Sequence, residues 1–191
     1  LFGRDGNEDD VQDLYVANAA TDEVLRFDGI SGNLIDVFAS GSGLDEPSNL
    51  VFNSSGDLFV TSSGSGEVLR FDGETGDFVE VFASSTGLVR PIDLTFGPDG
   101  DLYVTNELAG NDTPDQVLRF DGQTGTLLDT FVTDDHLDEV SSIVFGSDTT
   151  PDSEGGSLLY VTSSARDSVV RFDDEDGTFV DTFSGGFAPS A

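Results

Sequence analysis

A unit of about 44 residues is written four times along this chain, and few folds accommodate such a period. GPDGDLYVTN at 97–106 returns as NSSGDLFVTS at 53–62 and, more loosely, as QDLYVANA at 12–19. VLRFD, VLRFD, VLRFD and VVRFD carry Arg26, Arg70, Arg119 and Arg171, and LIDVF, FVEVF, LLDTF and FVDTF end on Phe38, Phe82, Phe131 and Phe183. Phe52, Phe96 and Phe145 close a further apolar segment, and Tyr15, Phe59, Tyr103 and Tyr160 centre another. From Phe52 the steps to Phe59, Arg70, Phe82 and Phe96 are 7, 11, 12 and 14 residues. The step from arginine to phenylalanine is the same in all four copies.

Each apolar segment is short and rich in Val, Leu, Phe and Tyr, which suits a strand. Between the last two of each copy lie DGISGN, DGETGD, DGQTGT and DDEDGT, where Asp bonds nearby amides and Gly takes positive φ cheaply. No helical period appears. Each copy therefore reads as four antiparallel strands, A to D, and one such sheet cannot bury both of its faces alone. The expected fold is all-β: a propeller of four-stranded antiparallel blades, near 1–38, 47–82, 91–131 and 140–183, with inter-blade aromatic side chains as its core.

RPIDLTFGPDGDLYVTN followed by QVLRFDGQTGTLLDTF resembles the NHL-repeat propeller blade, and the likeness runs through all four copies. LFGRDG at 1–6 matches LTFGPDG at 94–100 within strand A, and GGFAPSA at 185–191 falls where the next D–A connection would run. Four blades of a longer protein, in a ring that need not be complete, are the expectation.

The chain has 38 Asp and Glu against seven Arg and no Lys, a formal net charge of −31. Phosphate binding needs a basic footprint, so nucleic acid is not expected as a partner. Such a surface repels itself and needs cations to screen it, which fits salt adaptation or a calcium-rich medium. There is no cysteine and no apolar run of about 18 residues, hence neither thiol chemistry nor a membrane span.

What all four copies share serves the blade. Asp36, Glu80, Asp129 and Asp181 each follow the shared arginine by ten residues, so a structural pair across strands C and D is expected. What only one copy has is free for function. DGNEDD sets Asp5, Asn7 and Asp9 at alternate positions, as a calcium loop does, and DDEDG gathers Asp173 and Glu175; both are candidate calcium sites. Two loops are lengthened: NELAGNDTPDQ, which Asn106 opens, and GSDTTPDSEGGS. Arg90 and His136 fall in D–A connections outside the repeat, and Asn49, Asp93 and Ser142 near the start of strand A are placed to line a central channel. Arg90, His136, Asn49, Asp93 and Asn106 are the candidate ligand-binding residues.

No residue set announces chemistry: one histidine cannot build a multi-His metal site, and no phosphate loop is present. The expected function is a non-catalytic, secreted or cell-surface module that binds a protein or ligand or builds an assembly. The resemblance implies an alternative, a metal-dependent lactonase or lyase with its site at the channel mouth. That reading nominates His136, with Asp93 or Asn49 as ion ligands.

Overall fold

A computed structural model describes residues 1–6, 9–85, 87–108, 113–148 and 156–185. Among them the regular structure is all strand, in fifteen elements. These are β1 (Leu14–Asn18), β2 (Glu23–Phe27), β3 (Leu34–Ser40), β4 (Pro47–Phe52), β5 (Leu58–Ser62), β6 (Glu67–Phe71), β7 (Phe78–Ser84) and β8 (Pro91–Phe96). They continue with β9 (Leu102–Asn106), β10 (Gln116–Phe120), β11 (Leu127–Thr133), β12 (Val140–Ser147), β13 (Ser157–Ser163), β14 (Ser168–Asp173) and β15 (Phe179–Gly185). Three sheets have four strands, in the orders β4-β5-β6-β7, β11-β10-β9-β8 and β12-β13-β14-β15. The first, β1-β2-β3, has three strands, and its fourth is reduced to a bridge from Phe2 to Leu14.

The turn between strands C and D has one design in every copy. Asp28, Asp72, Asp121 and Asp173 each accept two amide hydrogens from the residues two and three positions on. Gly32, Gly76, Gly125 and Gly177 then return an N–H to the carbonyl of the same aspartate, all at positive φ. Each following hairpin carries two bulges at equivalent places, flanking the Leu-Arg step of Val24/Leu25 and Arg26/Phe27 and its repeats. Bulges raise the local twist of a strand pair.

The chain divides into two compact units, Leu1–Leu94 and Thr95–Ala191. In the first, Tyr15 stands edge-on to Phe38 at 4.9 Å and to Phe52 at 5.1 Å, and the core joins it to Leu58, Val60 and Phe71 of the next sheet. In the second, Tyr103 meets Phe131 at 5.0 Å and Phe145 at 4.9 Å over Leu159, Val161 and Phe172. Each large side chain buried contributes about 1.5–3 kcal/mol, and each edge-on pair adds about 0.5–1.5 kcal/mol. In the first and last sheets, repeated aromatics depart from the expected core role: Phe2, in the place of Phe52, is 59% exposed. Phe183 is 55 % exposed where Phe38, Phe82 and Phe131 are buried.

The shared arginines are structural. Arg26, Arg70, Arg119 and Arg171 stand directly opposite Asp36, Glu80, Asp129 and Asp181, with ion pairs of 2.5, 2.9, 2.5 and 2.6 Å. Each guanidinium also lies over an aromatic ring: Phe38, Phe59, Phe131 and, for Arg171, Phe183.

Candidate functional site

A polar cluster of the first unit lies where β4 begins and β8 runs beside it. A register shift between Pro47 and Leu50 breaks the ladder to β5, and side chains take over the bonding. Thr61 Oγ1 accepts the N–H of Asn49 at 2.8 Å and lies 2.8 Å from Ser48 Oγ. Ser48 reaches the carbonyl of Ile92 at 2.7 Å, and Ser63 that of Pro91 at 2.5 Å. The amide of Asn49 donates to Asp93 Oδ1, which also accepts the N–H of Leu94; Asn49 Oδ1 accepts that of Leu50. Asp93, Thr61 and Ser63 are buried. Ser141 and Thr162 repeat the Ser48–Thr61 pair in the second unit. The structure thus joins Asn49 to Asp93, in a cluster whose polar atoms are largely bonded to one another.

His136 sits in a different kind of place. Its ring stacks on Phe179 of β15, with centroids 4.2 Å apart and planes 8° from parallel, and Nδ1 is 2.5 Å from Asp134 Oδ1. β15 is the edge of its sheet opposite β12, which carries Ser142. Arg90 is exposed just before β8. Asn106 is fully buried at the end of β9, at the position held by Ser62 and Ser163 in neighbouring copies. Those serines tie down the connection entering strand A: each accepts an N–H at 2.9 Å, from Asp45 and Asp138.

The acidic loops are built from backbone bonding. Asp5 Oδ2 accepts the N–H of Asp10, and Asp9 Oδ1 that of Val11. Asn7 lies outside the described residues. Asp173 holds the hairpin turn as its three equivalents do, and Glu175 is exposed within that turn. Among the described residues no group of three or more His, Cys, Asp or Glu is arranged to hold a metal ion. Residues 109–112 and 149–155 of the lengthened loops lie outside the described residues.

Two buried carboxylates escaped the sequence reading. Asp13 accepts the N–H of Gly6 at 2.7 Å and of Gly29 at 3.3 Å, joining the first turn to the C–D turn. Asp115 accepts the N–H of Leu108 at 2.8 Å and of Val140 at 3.0 Å, pinning the lengthened loop to β12. For Asp13 a signal was available: Asp57 and Asp101 precede the same apolar strand in later copies. Burial raises the pKa of Asp101 and pushes the Tyr103 phenol well above its usual value, so at neutral pH that phenol is a hydrogen-bond donor to Asp99.

One concavity of the first unit is of another character. It holds about 320 Å³ and is walled by Phe2, Leu14, Val16, Phe27, Gly29 and Gly32, with Asp28 as its one ionisable side chain. It opens on the face of β1 and β2 opposite Tyr15.

With repeated antiparallel meanders packed through edge-on aromatics, the chain has a β-propeller fold. It is similar to virginiamycin B lyase from Staphylococcus aureus at 16% identity and a TM-score of 0.67, covering 98% of this chain and 56% of that one. It is also similar to a chain of the nidogen/laminin complex, at 16% identity and a TM-score of 0.59 over 95% of this chain and 78% of that one. An auxiliary nutrient binding protein from Bacteroides ovatus matches at 16% identity and a TM-score of 0.64, over 91% of this chain and 39% of that one. The chain thus spans just over half the length of the lyase. No family model and no curated protein matches it.

Proposed function

We propose that the chain is an NHL-type propeller module that binds a protein or builds an assembly without catalysing a reaction. The observation that carries this reading is the concavity of Phe2, Leu14, Val16 and Phe27, an open apolar surface that suits docking by another apolar surface. The polar residues at the start of strand A support it, because Asn49, Asp93, Ser48 and Thr61 bond to one another and to the backbone around them. On this reading the protein works outside the cell or at its surface, and salt or calcium screens its acidic exterior.

The test is an assay of lactone and ester hydrolysis with calcium or manganese, on the protein and on His136→Ala. The expected result is the same background rate in every arm. Metal-dependent turnover that disappears in the variant would replace this reading with that of a lyase-like or lactonase-like enzyme.

A further inference from the structure

The first and last sheets each show one half of an interface that the molecule builds completely elsewhere. Where two successive sheets meet inside a unit, the earlier one offers an aromatic on strand B and a phenylalanine on strand D. The later one offers a strand-A phenylalanine and three apolar residues of strands B and C. Tyr15 and Phe38 meet Phe52 with Leu58, Val60 and Phe71; Tyr103 and Phe131 meet Phe145 with Leu159, Val161 and Phe172. A turn glycine seals the junction. A Cβ on Gly76 would lie 1.8 Å from the carbonyl oxygen of Phe38, and one on Gly177 would lie 2.2 Å from that of Phe131.

The first sheet has the later half, left open among the described residues. Leu58, Val60 and Phe71, and likewise Leu102, Val104 and Phe120, are all fully buried. Their equivalents Leu14, Val16 and Phe27 are part-exposed or exposed, and Phe2, at the position of Phe52, is 59% exposed. Gly32, equivalent to Gly76 and Gly177, has no atom within 4 Å of where its Cβ would stand. The last sheet has the earlier half. Tyr160 is only partly buried where Tyr15, Phe59 and Tyr103 are fully so, and Phe183 is open.

We propose that a second copy of this chain covers these surfaces, head to tail. Phe2 of one copy enters beside Tyr160 and Phe183 of the other, and Gly32 closes on the Phe183 carbonyl. This rests on the reading of the chain as an assembly module and names its partner. Two features favour a copy of the same chain. The halves belong to one repeated interface, so their shapes are already matched. They are also poor in net charge: Asp28 is the one ionisable group of the first concavity, and Arg171 is neutralised by Asp181 on the other face. A heterologous contact of this kind closes into a ring or runs on as a chain of copies.

Sedimentation velocity on the 191-residue protein tests this in about 0.5 M salt, where the Debye length is a few ångströms. The weight-average mass is expected to rise from one copy to two or more over roughly two decades of concentration. Phe2→Asp and Phe183→Asp are each expected to weaken association by at least about tenfold. Both side chains are exposed within one copy, so each variant should keep its far-UV spectrum; the melting temperature should hold for Phe2→Asp and drop slightly for Phe183→Asp, whose ring lies over the Arg171 guanidinium. Mixing the two variants should restore a two-copy species, because one junction then has both phenylalanines. A monomer at every concentration, association indifferent to both variants, or a mixture that fails to recover would each overturn the proposal. None of these results touches the hydrolysis assay, so the module reading stands or falls separately.

Discussion

The four arginines hold most of the cationic charge of a chain with seven, and each is committed to its own blade. Arg171 is buried while Asp181 is half exposed, so the carboxylate faces solvent and the guanidinium is held by the carboxylate and by the Phe183 ring. A double-mutant cycle on Arg26→Ala and Asp36→Ala should give a coupling of about 0.2–1 kcal/mol, the range for partly solvated pairs. The urea midpoint of the two single variants and the double variant measures it. A coupling near zero would mean that the ring contact, and not the carboxylate, holds the guanidinium in place. These pairs were legible in the sequence, because four copies of an Arg and an acid ten residues apart act as an internal alignment. Asp115 was not, because it stands in the lengthened loop, and nothing in its surroundings shows that its two oxygens reach Leu108 and Val140.

At the scale of the element, close backbone approach decides where glycine is required. Gly29, Gly73 and Gly122 follow the turn aspartate, and a Cβ there would lie 2.0, 1.7 and 1.9 Å from the carbonyl oxygens of Gln12, Gly56 and Gly100. Gly73→Ala should therefore destabilise by about 1–3 kcal/mol, an overpacking cost read from urea unfolding. A loss below about 0.3 kcal/mol would mean that the A–B turn gives way freely. The fourth copy shows the alternative solution. Asp174 takes the glycine position, its A–B loop is longer by eight residues, and its carboxylate accepts a bond from the Ser157 hydroxyl. Strands and hairpin turns could be read from periodicity because they recur. The heading of His136 could not, since the length of a D–A connection does not determine which strand its side chain meets. The exposure of Phe183 was hidden for a related reason: the repeat specifies a blade, and burial of its D strand depends on what lies against it.

Across the whole molecule, two electrostatic effects of opposite sign compete. At pH 7 the formal charge of −31 repels itself, and salt weakens that repulsion. The melting temperature should climb as salt rises from about 0.01 M to about 1 M, where the Debye length falls from about 30 to 3 Å. Lowering the pH removes the same repulsion by protonating carboxylates, so at low salt stability should first rise between about pH 7 and 5. Below that, specific bonds are lost. Bonding to Arg171 holds Asp181 below the usual carboxylate range, and turn hydrogen bonds do the same for Asp72, Asp121 and Asp176. A group with a depressed folded pKa stabilises above its unfolded value, about 3.9, and that contribution disappears as pH falls through the folded value. Asp101 works in the other direction, because burial raises its pKa and protonation relieves it. Four depressed groups outnumber it, so stability should fall below about pH 4 at any salt. In about 1 M salt the profile should be flat from pH 7 to 5 before the same fall. A grid of melting temperatures over pH and salt checks both arms. A salt response as large at pH 3.5 as at pH 7 would show that carboxylate repulsion is not what salt relieves; that pH is set about half a unit below the unfolded aspartate value.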